Sequence, residues 1–523
     1  MPIPQAIEMS YLEALTQQTL DYQADILLAR AYHAGVQPIY LTERQKEYLD
    51  LHQDNQFCLN LCRIIVTALT DELNVVGFET GEKENAEGIK QQAEWFWDVW
   101  QKNRMDAQQS EIHNRAVAES EAFIILDWDS EGKYPVMVLH ERYTSMQASA
   151  WEDRWDGLTT SAMEQLTGTD NGVWIVYEND DPNQKAIVGV QRWTEILRSE
   201  EGRADPRQRQ TLYYPDRIER YFYNGTEWEL LEDGVKEWND KTGKPLGIPV
   251  IHFKNIDMRP EAWDAIPIND AANKTWVDIL GSADTLGFPM LAVLRMWPTT
   301  DGKSPASDGA NVWSFGPGEI IGNAQAEDGA SITKIEGSDP TPLMETLKDQ
   351  IMFAANITGT PASRFVTTAQ IASDKTLKEQ DRQLHKRAIN HQILLGQAWA
   401  DVMVMARRIA NAFGNEGMDE KITVKPVWKS LTTIEDLKEE KDLGVPLESI
   451  WLKMGKSQAE IAEMKGTTEY RLNLFKAIFE GFTAASQNGM TLDGYLKLIG
   501  LSEDEVKEIT AAMGSDTIPP TEL

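Results

Sequence analysis

Apolar side chains recur every three or four residues along two stretches in the second half of the chain, 268–286 and 384–413. This spacing places the apolar side chains on one face of an α-helix. The sequence therefore predicts a helix from about 267 to 287. It also predicts a helix of about 40 residues, about 60 Å long, that ends at Gly414.

The two predicted helices are separated by a segment of different composition. Residues 298–337 are rich in Gly, Ser, Pro and Asp, which predicts a small β-rich insert. A shorter helix follows, with Thr341 as its N-cap and Pro342 at its first helical position, and it ends at the turn 358–361. The strand candidates of this region are 288–295, 312–315, 319–321 and 331–335.

The first 255 residues combine helical periodicity with runs of β-branched and aromatic residues. We predict helices first, followed by a mostly antiparallel sheet. Asn224 and Gly225 mark a hairpin, because both residue types tolerate a positive φ, and residues 199–210 are expected to form an exposed loop. The predicted strands are centred on 122–126, 136–139, 174–177, 186–190, 212–214 and 218–223.

The net charge limits the classes of partner. The chain has 523 residues and a formal net charge of −33, from 83 acidic and 50 basic residues. This excess argues against a protein that grips duplex DNA, since such proteins neutralise phosphates with Lys and Arg. It is compatible with a protein that surrounds DNA without holding it. No apolar run reaches the ~18 residues typical of a membrane span.

Candidate catalytic and metal-binding groups are scattered along the chain. Cys58 and Cys62 lie one turn apart in an apolar helical pattern, which favours reduced core residues over metal ligands. His391 falls on the apolar stripe of the long helix and is expected to be a packed core histidine. The sequence contains no nucleophile elbow, zinc-ligand spacing or complete phosphate-binding loop. We expect no enzyme activity, no cofactor and no metal.

Several stretches resemble the portal, or head–tail connector, family of tailed bacteriophages. The most distinctive are Tyr-Pro-Asp-Arg-Ile-Glu-Arg-Tyr at 214–221 and Gly-Ile-Pro-Val-Ile-His-Phe at 247–253. Residues 269–275 resemble the first stem helix of the family, and Thr-Gly-Thr-Pro at 358–361 matches the turn after its second. The ordered set, over about residues 40–465, carries the resemblance. It implies an α+β portal fold.

The resemblance implies a division of the chain into the parts of a portal subunit. The wing would combine helices and antiparallel sheet in 1–260 with the long helix and a strand in 373–432. Two stem helices, 261–287 and 339–358, would flank a small β-rich clip at 288–338. The tunnel loop would span 359–372, and a helical crown would occupy 433–523.

By the same resemblance, twelve copies would form a ring at one capsid vertex. Double-stranded DNA would enter and leave through its channel without sequence recognition. The tunnel-loop residues expected to contact DNA are Arg364, Thr367, Thr368 and Gln370.

The resemblance also implies the partners of the ring. The clip would dock the packaging motor (the terminase large subunit) and later the head-completion adaptor or tail proteins. The major capsid and scaffolding proteins are further expected partners, no membrane is expected, and the protein would reside in the virion after assembly in the host cytoplasm. The expected docking residues are Trp297, Lys303, Trp313 and Phe315.

Two other classes of function remain open from the residues alone. An acidic helical intracellular scaffold would be a monomer or a dimer in solution. A metal-dependent nuclease using clustered carboxylates would cleave DNA only with a divalent ion. A ring visible by microscopy distinguishes the portal hypothesis from both.

Overall fold

The computed structural model describes residues 20–37, 58–81, 86–143, 171–178, 185–198, 204–287, 290–298, 324–335, 339–365, 374–414, 416–429, 431, 447, 450, 451, 454 and 464. The chain separates into two compact units, Met1–Leu431 and Thr432–Leu523. The predicted crown at 433–523 lies almost entirely outside the described residues. Its described part includes one backbone hydrogen bond, from Met454 N to Ile450 O at 2.9 Å.

The described part of the chain contains seven α-helices, numbered here α1 to α7. They are α1 (Leu20–Ala34), α2 (Leu61–Thr70), α3 (Ala86–Lys102), α4 (Met105–Glu119), α5 (Ile266–Gly287), α6 (Thr341–Thr358) and α7 (Asp374–Ile409). The predicted long helix is confirmed: α7 has 36 residues, about 54 Å, and it continues as the π-helical turn Ala410–Gly414.

Twelve strands occur among the described residues. They are β1 (Val75–Gly81), β2 (Glu121–Asp129), β3 (Tyr134–His140), β4 (Gly172–Tyr177), β5 (Ala186–Arg198), β6 (Ala204–Tyr213), β7 (Arg217–Tyr223), β8 (Trp228–Glu237), β9 (Val250–Lys254), β10 (Met290–Pro298), β11 (Ala324–Ile335) and β12 (Thr423–Trp428). Every pairing is antiparallel. The sheets are β4-β5-β6-β7-β8, β3-β2-β9, β1-β12 and β10-β11.

The prediction of an exposed loop at 199–210 is wrong for residues 204–210. Residues from Ala204 onward form β6, which pairs with β5 on one side and β7 on the other. Its polar side chains face polar partners across the ladder: Arg209 lies 2.8 Å from Glu195, and buried Gln210 accepts a hydrogen bond from Arg192. In 204–210, polar side chains that pair across the strands stand where alternating apolar residues would be expected. The sequence pattern therefore does not reveal this part of β6.

The predicted hairpin at Asn224 and Gly225 is confirmed, but its turn differs from the expected one. Gly225 has a φ of 98°. Asn224 contributes through its side chain, whose Oδ1 accepts hydrogen bonds from Thr226 N at 2.8 Å and Glu227 N at 2.9 Å. The Asn224 side chain therefore forms an Asx turn. Asn224 favours the turn through these hydrogen bonds, and its backbone does not take the left-handed conformation.

The predicted apolar faces of α5 and α6 pack against each other. Their buried contacts include Ala272 and Ile279 from α5 and Leu347 and Ala354 from α6. At the other end of α5, Leu286 is half exposed. Among the described residues, the predicted stripe is therefore buried at Ala272 and Ile279 and exposed at Leu286.

The N-terminus of α6 is capped differently from the prediction. Asp339 Oδ1 accepts hydrogen bonds from the backbone N of Thr341 at 2.9 Å and from its hydroxyl at 2.7 Å. The Thr341 side chain is therefore occupied by Asp339, and Asp339 supplies the side-chain acceptor at this end.

Two polar residues on α5 fasten the segment before α2. Asn273 Oδ1 accepts a hydrogen bond from Leu59 N at 2.6 Å, and its Nδ2 donates to Leu59 O at 3.2 Å. Asn269 Oδ1 accepts one from Leu61 N at 2.9 Å. Both asparagines are buried. Both lie off the predicted apolar stripe of α5. Their side chains form hydrogen bonds with backbone groups of Leu59 and Leu61.

Replacing Asn273 with Ala is expected to lower the free energy of unfolding by about 1–3 kcal/mol, because Leu59 N and O lose their partner. Urea unfolding followed by tryptophan fluorescence measures the change. Asn390, exposed on α7, is the matched control, and Asn390→Ala should change stability by less than about 0.5 kcal/mol. Equal effects of the two substitutions would contradict the fastening role of Asn273.

The largest core lies beneath the buried face of α7. Trp399 is fully buried, with its ring centroid 4.7 Å from that of Trp100 and 4.8 Å from that of Phe253. Its Nε1 donates a hydrogen bond to His113 Nε2 at 2.9 Å, and His113 Nδ1 donates to Leu73 O. This pattern requires a neutral imidazole, and burial lowers the pKa of His113 to about 4.

Candidate functional site

The turn that ends α6 is built from its own residue types. Gly359, with a φ of 61°, takes the left-handed conformation that closes a helix. Thr360 N then donates to Ala355 O at 3.0 Å, and Pro361 prevents the helix from continuing. Thr358 donates its hydroxyl to Ala354 O at 2.7 Å and lies 3.0 Å from the Thr360 hydroxyl. The predicted turn at 358–361 is confirmed.

Arg387 on α7 reaches this turn and links it to the segment before α5. Its Nη1 donates to the Thr360 hydroxyl at 3.4 Å. Its Nε donates to Glu261 Oε1 at 3.2 Å, and Nη2 contacts the same oxygen. Both charged side chains are mostly buried. One guanidinium therefore connects three segments that are far apart in sequence.

His391 completes the link one helical turn further along α7. Its Nδ1 lies 2.9 Å from Arg387 O, and its Nε2 lies 2.9 Å from Asn255 Oδ1. The orientation of the Asn255 amide follows from its Nδ2, which donates to Arg259 O at 2.6 Å. Both ring nitrogens of His391 thus face hydrogen-bond acceptors.

Glu261 is the counter-charge of this group. Its Oε2 lies 3.5 Å from His391 Nε2. Burial raises the pKa of the Glu261 carboxyl, but the hydrogen bond from His391 and the charge of Arg387 outweigh it, and the pKa falls from 4.5 to about 2. We call Asn255, Glu261, Thr360, Arg387 and His391 the junction cluster. The prediction that His391 is buried is confirmed; its ionic partners were not foreseen.

The predicted DNA-contact residues fall just beyond the junction cluster. Arg364 is exposed, in the 3-10 turn Ala362–Arg364, with its Nη2 3.1 Å from Glu72 Oε1. An exposed ion pair of this kind contributes at most about 1 kcal/mol, so its guanidinium can be released at little cost. Thr367, Thr368 and Gln370 lie outside the described residues.

The predicted docking residues belong to the β10–β11 hairpin and the segment that joins its strands. The strand predicted at 288–295 is Met290–Pro298, and the candidate at 331–335 is the end of Ala324–Ile335. In the ladder, Trp297 is the register partner of Gln325. Lys303, Trp313 and Phe315 lie outside the described residues, as do the strand candidates 312–315 and 319–321.

The hairpin is a two-stranded ribbon with exposed apolar side chains, Leu294 on β10 and Ile332 on β11. Arg295, at the irregularity between Leu294 and Met296, has a φ of 52° and donates to Asp328 O at 2.8 Å. The described chain thus runs from α5 through an isolated hairpin to α6, the turn and the long helix α7.

This order of elements coincides with a family match. The family described as "Phage portal protein, SPP1 Gp6-like" matches residues 166–467, more than half of the chain. The chain belongs to this phage portal family. Portal proteins are structural components of the phage capsid, and the suspected resemblance is confirmed. No curated protein gave a significant match.

The portal match covers the part of the chain from β4 to β12, including α5, the hairpin, α6 and α7. The mixed helices and antiparallel sheets are compatible with a portal fold. Membership of a structural family favours the portal interpretation over the scaffold and the nuclease.

Neither a helix able to span a membrane nor a metal-binding cluster occurs among the described residues. No described helix combines the length and apolarity needed to cross a bilayer. No group of three or more His, Cys, Asp or Glu side chains in the part of the chain that the structure describes is placed to hold a metal ion.

Proposed function

We propose that twelve copies of this chain form a ring at one capsid vertex, with a central channel for entry and exit of the genome. The observation that carries the proposal is the order of α5, the β10–β11 hairpin, α6, the 358–361 turn and α7 inside the portal match. In this arrangement 261–287 and 339–358 are the stem, 288–338 the clip, 359–372 the tunnel loop, and 433–523 the crown. Residues 1–260 and 373–432 form the wing.

The charge of the chain supports a channel that conducts DNA without holding it. Each copy carries a formal charge of −33. Carboxylates that line a pore repel phosphates, so duplex DNA would stay centred and slide. Contacts to the backbone alone carry no sequence information. The channel would therefore accept any genome sequence.

The clip is the proposed docking platform. Its two strands pair only with each other among the described strands, and Leu294 and Ile332 are exposed, so that a partner protein can cover them. We assign docking of the terminase large subunit, and later of the head-completion adaptor, to Trp297, Lys303, Trp313 and Phe315. The capsid and scaffolding proteins would contact the ring during assembly in the host cytoplasm.

The single most informative test is negative-stain microscopy of the purified chain, with its mass measured by light scattering. The proposal predicts ring-shaped particles with a central hole and a mass of about twelve copies. Material that stays monomeric or dimeric under every assembly condition would support the scaffold instead and overturn the ring.

The tunnel loop offers a mutational test. In the Arg364→Ala/Gln370→Ala double variant, we expect DNA packaging or its retention in filled heads to fall several-fold while rings still form, because the weak pairing of Arg364 with Glu72 leaves its guanidinium available to phosphates. Packaged DNA protected from nuclease is the readout. Arg259→Ala removes another exposed arginine, which is paired with Asp264, and is the control. Normal packaging and retention in the double variant would remove the loop from the DNA path.

A further inference from the structure

One face of α7 is exposed and carries two isoleucines beside two basic residues. The buried positions on this helix include Leu384, Ala388 and Leu395. On the opposite face lies a line of four exposed residues with spacings of four, three and four. These are Arg382, Lys386, Ile389 and Ile393, which we call the outer stripe.

The outer stripe places two large aliphatic side chains in solvent beside two cations. Ile389 is 49% exposed and Ile393 is 61% exposed. They lie one turn apart, so they form one continuous apolar contact surface. The chain as a whole carries a net charge of −33, so a basic patch on it stands out. An apolar pair next to two cations is suited to a partner that is itself apolar and acidic.

The chain carries such a surface on β8, at the edge of its five-stranded sheet. Among the described strands, β8 pairs only with β7. Leu230 is 46% exposed and Val235 is 53% exposed. Exposed carboxylates lie among and beside them, and Lys236 is directed to Asp127, 3.4 Å away. We call the set Glu229, Leu230, Glu232, Asp233 and Val235 the β8 edge.

We propose that the outer stripe of one copy binds the β8 edge of the next copy around the ring. This inference rests on the proposed function, since a closed ring requires each copy to present two different, mutually complementary faces. The pairing matches two aliphatic side chains with two aliphatic side chains, and two cations with three carboxylates. A nucleic acid would use the cations but not the isoleucines, so a second copy of this chain is the occupant that accounts for the whole stripe.

The complementarity allows each face to be removed separately. Ile389→Asp/Ile393→Asp removes the outer stripe and keeps the β8 edge. Leu230→Asp/Val235→Asp removes the β8 edge and keeps the outer stripe. All four positions are exposed, so each chain should fold, which circular dichroism and a thermal melt check. Val138, 46% exposed on β3, is the control, and Val138→Asp should leave rings intact.

Light scattering and negative-stain microscopy then give the expected pattern. The unaltered chain and the Val138→Asp control form rings, and each double variant alone stays monomeric. An equal mixture of the two double variants forms a dimer and stops there, because one intact stripe meets one intact edge and the two remaining faces are both disabled.

The outcomes separate this pairing from the ring itself. Rings from the unaltered chain together with rings from either folded double variant would overturn the pairing and leave the proposed function standing. A mixture that fails to dimerise, or a control that loses its rings, would also overturn the pairing. An unaltered chain that never forms rings would overturn the proposed function.

Discussion

Replacing Glu261 with Gln is expected to lower the free energy of unfolding by about 3–5 kcal/mol. The substitution keeps the shape of the side chain but removes the negative charge that faces Arg387 and His391. The Arg387 guanidinium lies largely out of solvent and would keep its positive charge without a counter-ion. Urea unfolding at neutral pH, followed by tryptophan fluorescence, measures the loss.

The same substitution should change the acid sensitivity of the protein. The pKa of Glu261 is lowered from 4.5 to about 2 in the folded chain. Its contribution is therefore complete above pH 4.5 and is lost as the pH falls toward 2, when the folded state must take up the proton. The stability of Glu261→Gln should fall less steeply than that of the unaltered chain across this window.

Asp264 supplies the matched control for Glu261. It pairs with Arg259 at 2.6 Å, but both side chains are more than half exposed. Asp264→Asn should therefore cost less than about 1 kcal/mol. If the two substitutions cost the same, Glu261 is not a buried counter-charge of Arg387. The same conclusion follows if the stability of Glu261→Gln keeps the full pH dependence between pH 4.5 and 2.

Replacing Trp399 with Ala should lower the free energy of unfolding by about 3–5 kcal/mol. The substitution leaves a cavity between Trp100 and Phe253, and it removes the donor to His113 Nε2. A buried imidazole acceptor without a partner adds to the cost. Urea unfolding measured by far-ultraviolet circular dichroism avoids the change in tryptophan signal.

Two further variants define the cause of the Trp399 effect. Trp399→Phe retains most of the ring volume and should cost less than the alanine variant. Trp193→Ala removes a tryptophan that is 37% exposed on β5, and the loss should be smaller than about 1 kcal/mol. A Trp399→Ala protein as stable as Trp193→Ala would show that the α7 core does not depend on this side chain.

Local periodicity was a reliable guide where a single face of an element is buried. The stripe on α7 is buried at Leu384, Leu395 and Val402, as the three- and four-residue steps indicated. The turn at 358–361 followed from the chemistry of Gly and Pro. The end of β6 was predicted at 212–214, but its first part, 204–210, was missed because Arg209 and Gln210 are paired with side chains of β5. A strand segment with polar cross-strand partners has no apolar alternation to detect.

The candidate site was foreseen only in part. Arg364 was named from the resemblance and the turn from its residue types, but Arg387 and Glu261 were not foreseen, because a charged residue in an acidic chain gives no signal of burial. The cluster joins Glu261 to Arg387 across 126 positions in sequence. Asn273 and Leu59 are likewise 214 positions apart.

The sequence by itself determined the helical stripes, the turn and the order of elements that places the chain among phage portals, because these depend on residues close together along the chain. Only the tertiary structure decided which polar groups are buried, which charges meet and which apolar side chains stay exposed. Those outcomes depend on how distant segments pack, since a carboxylate becomes part of a buried ion pair only when another part of the chain excludes water from it.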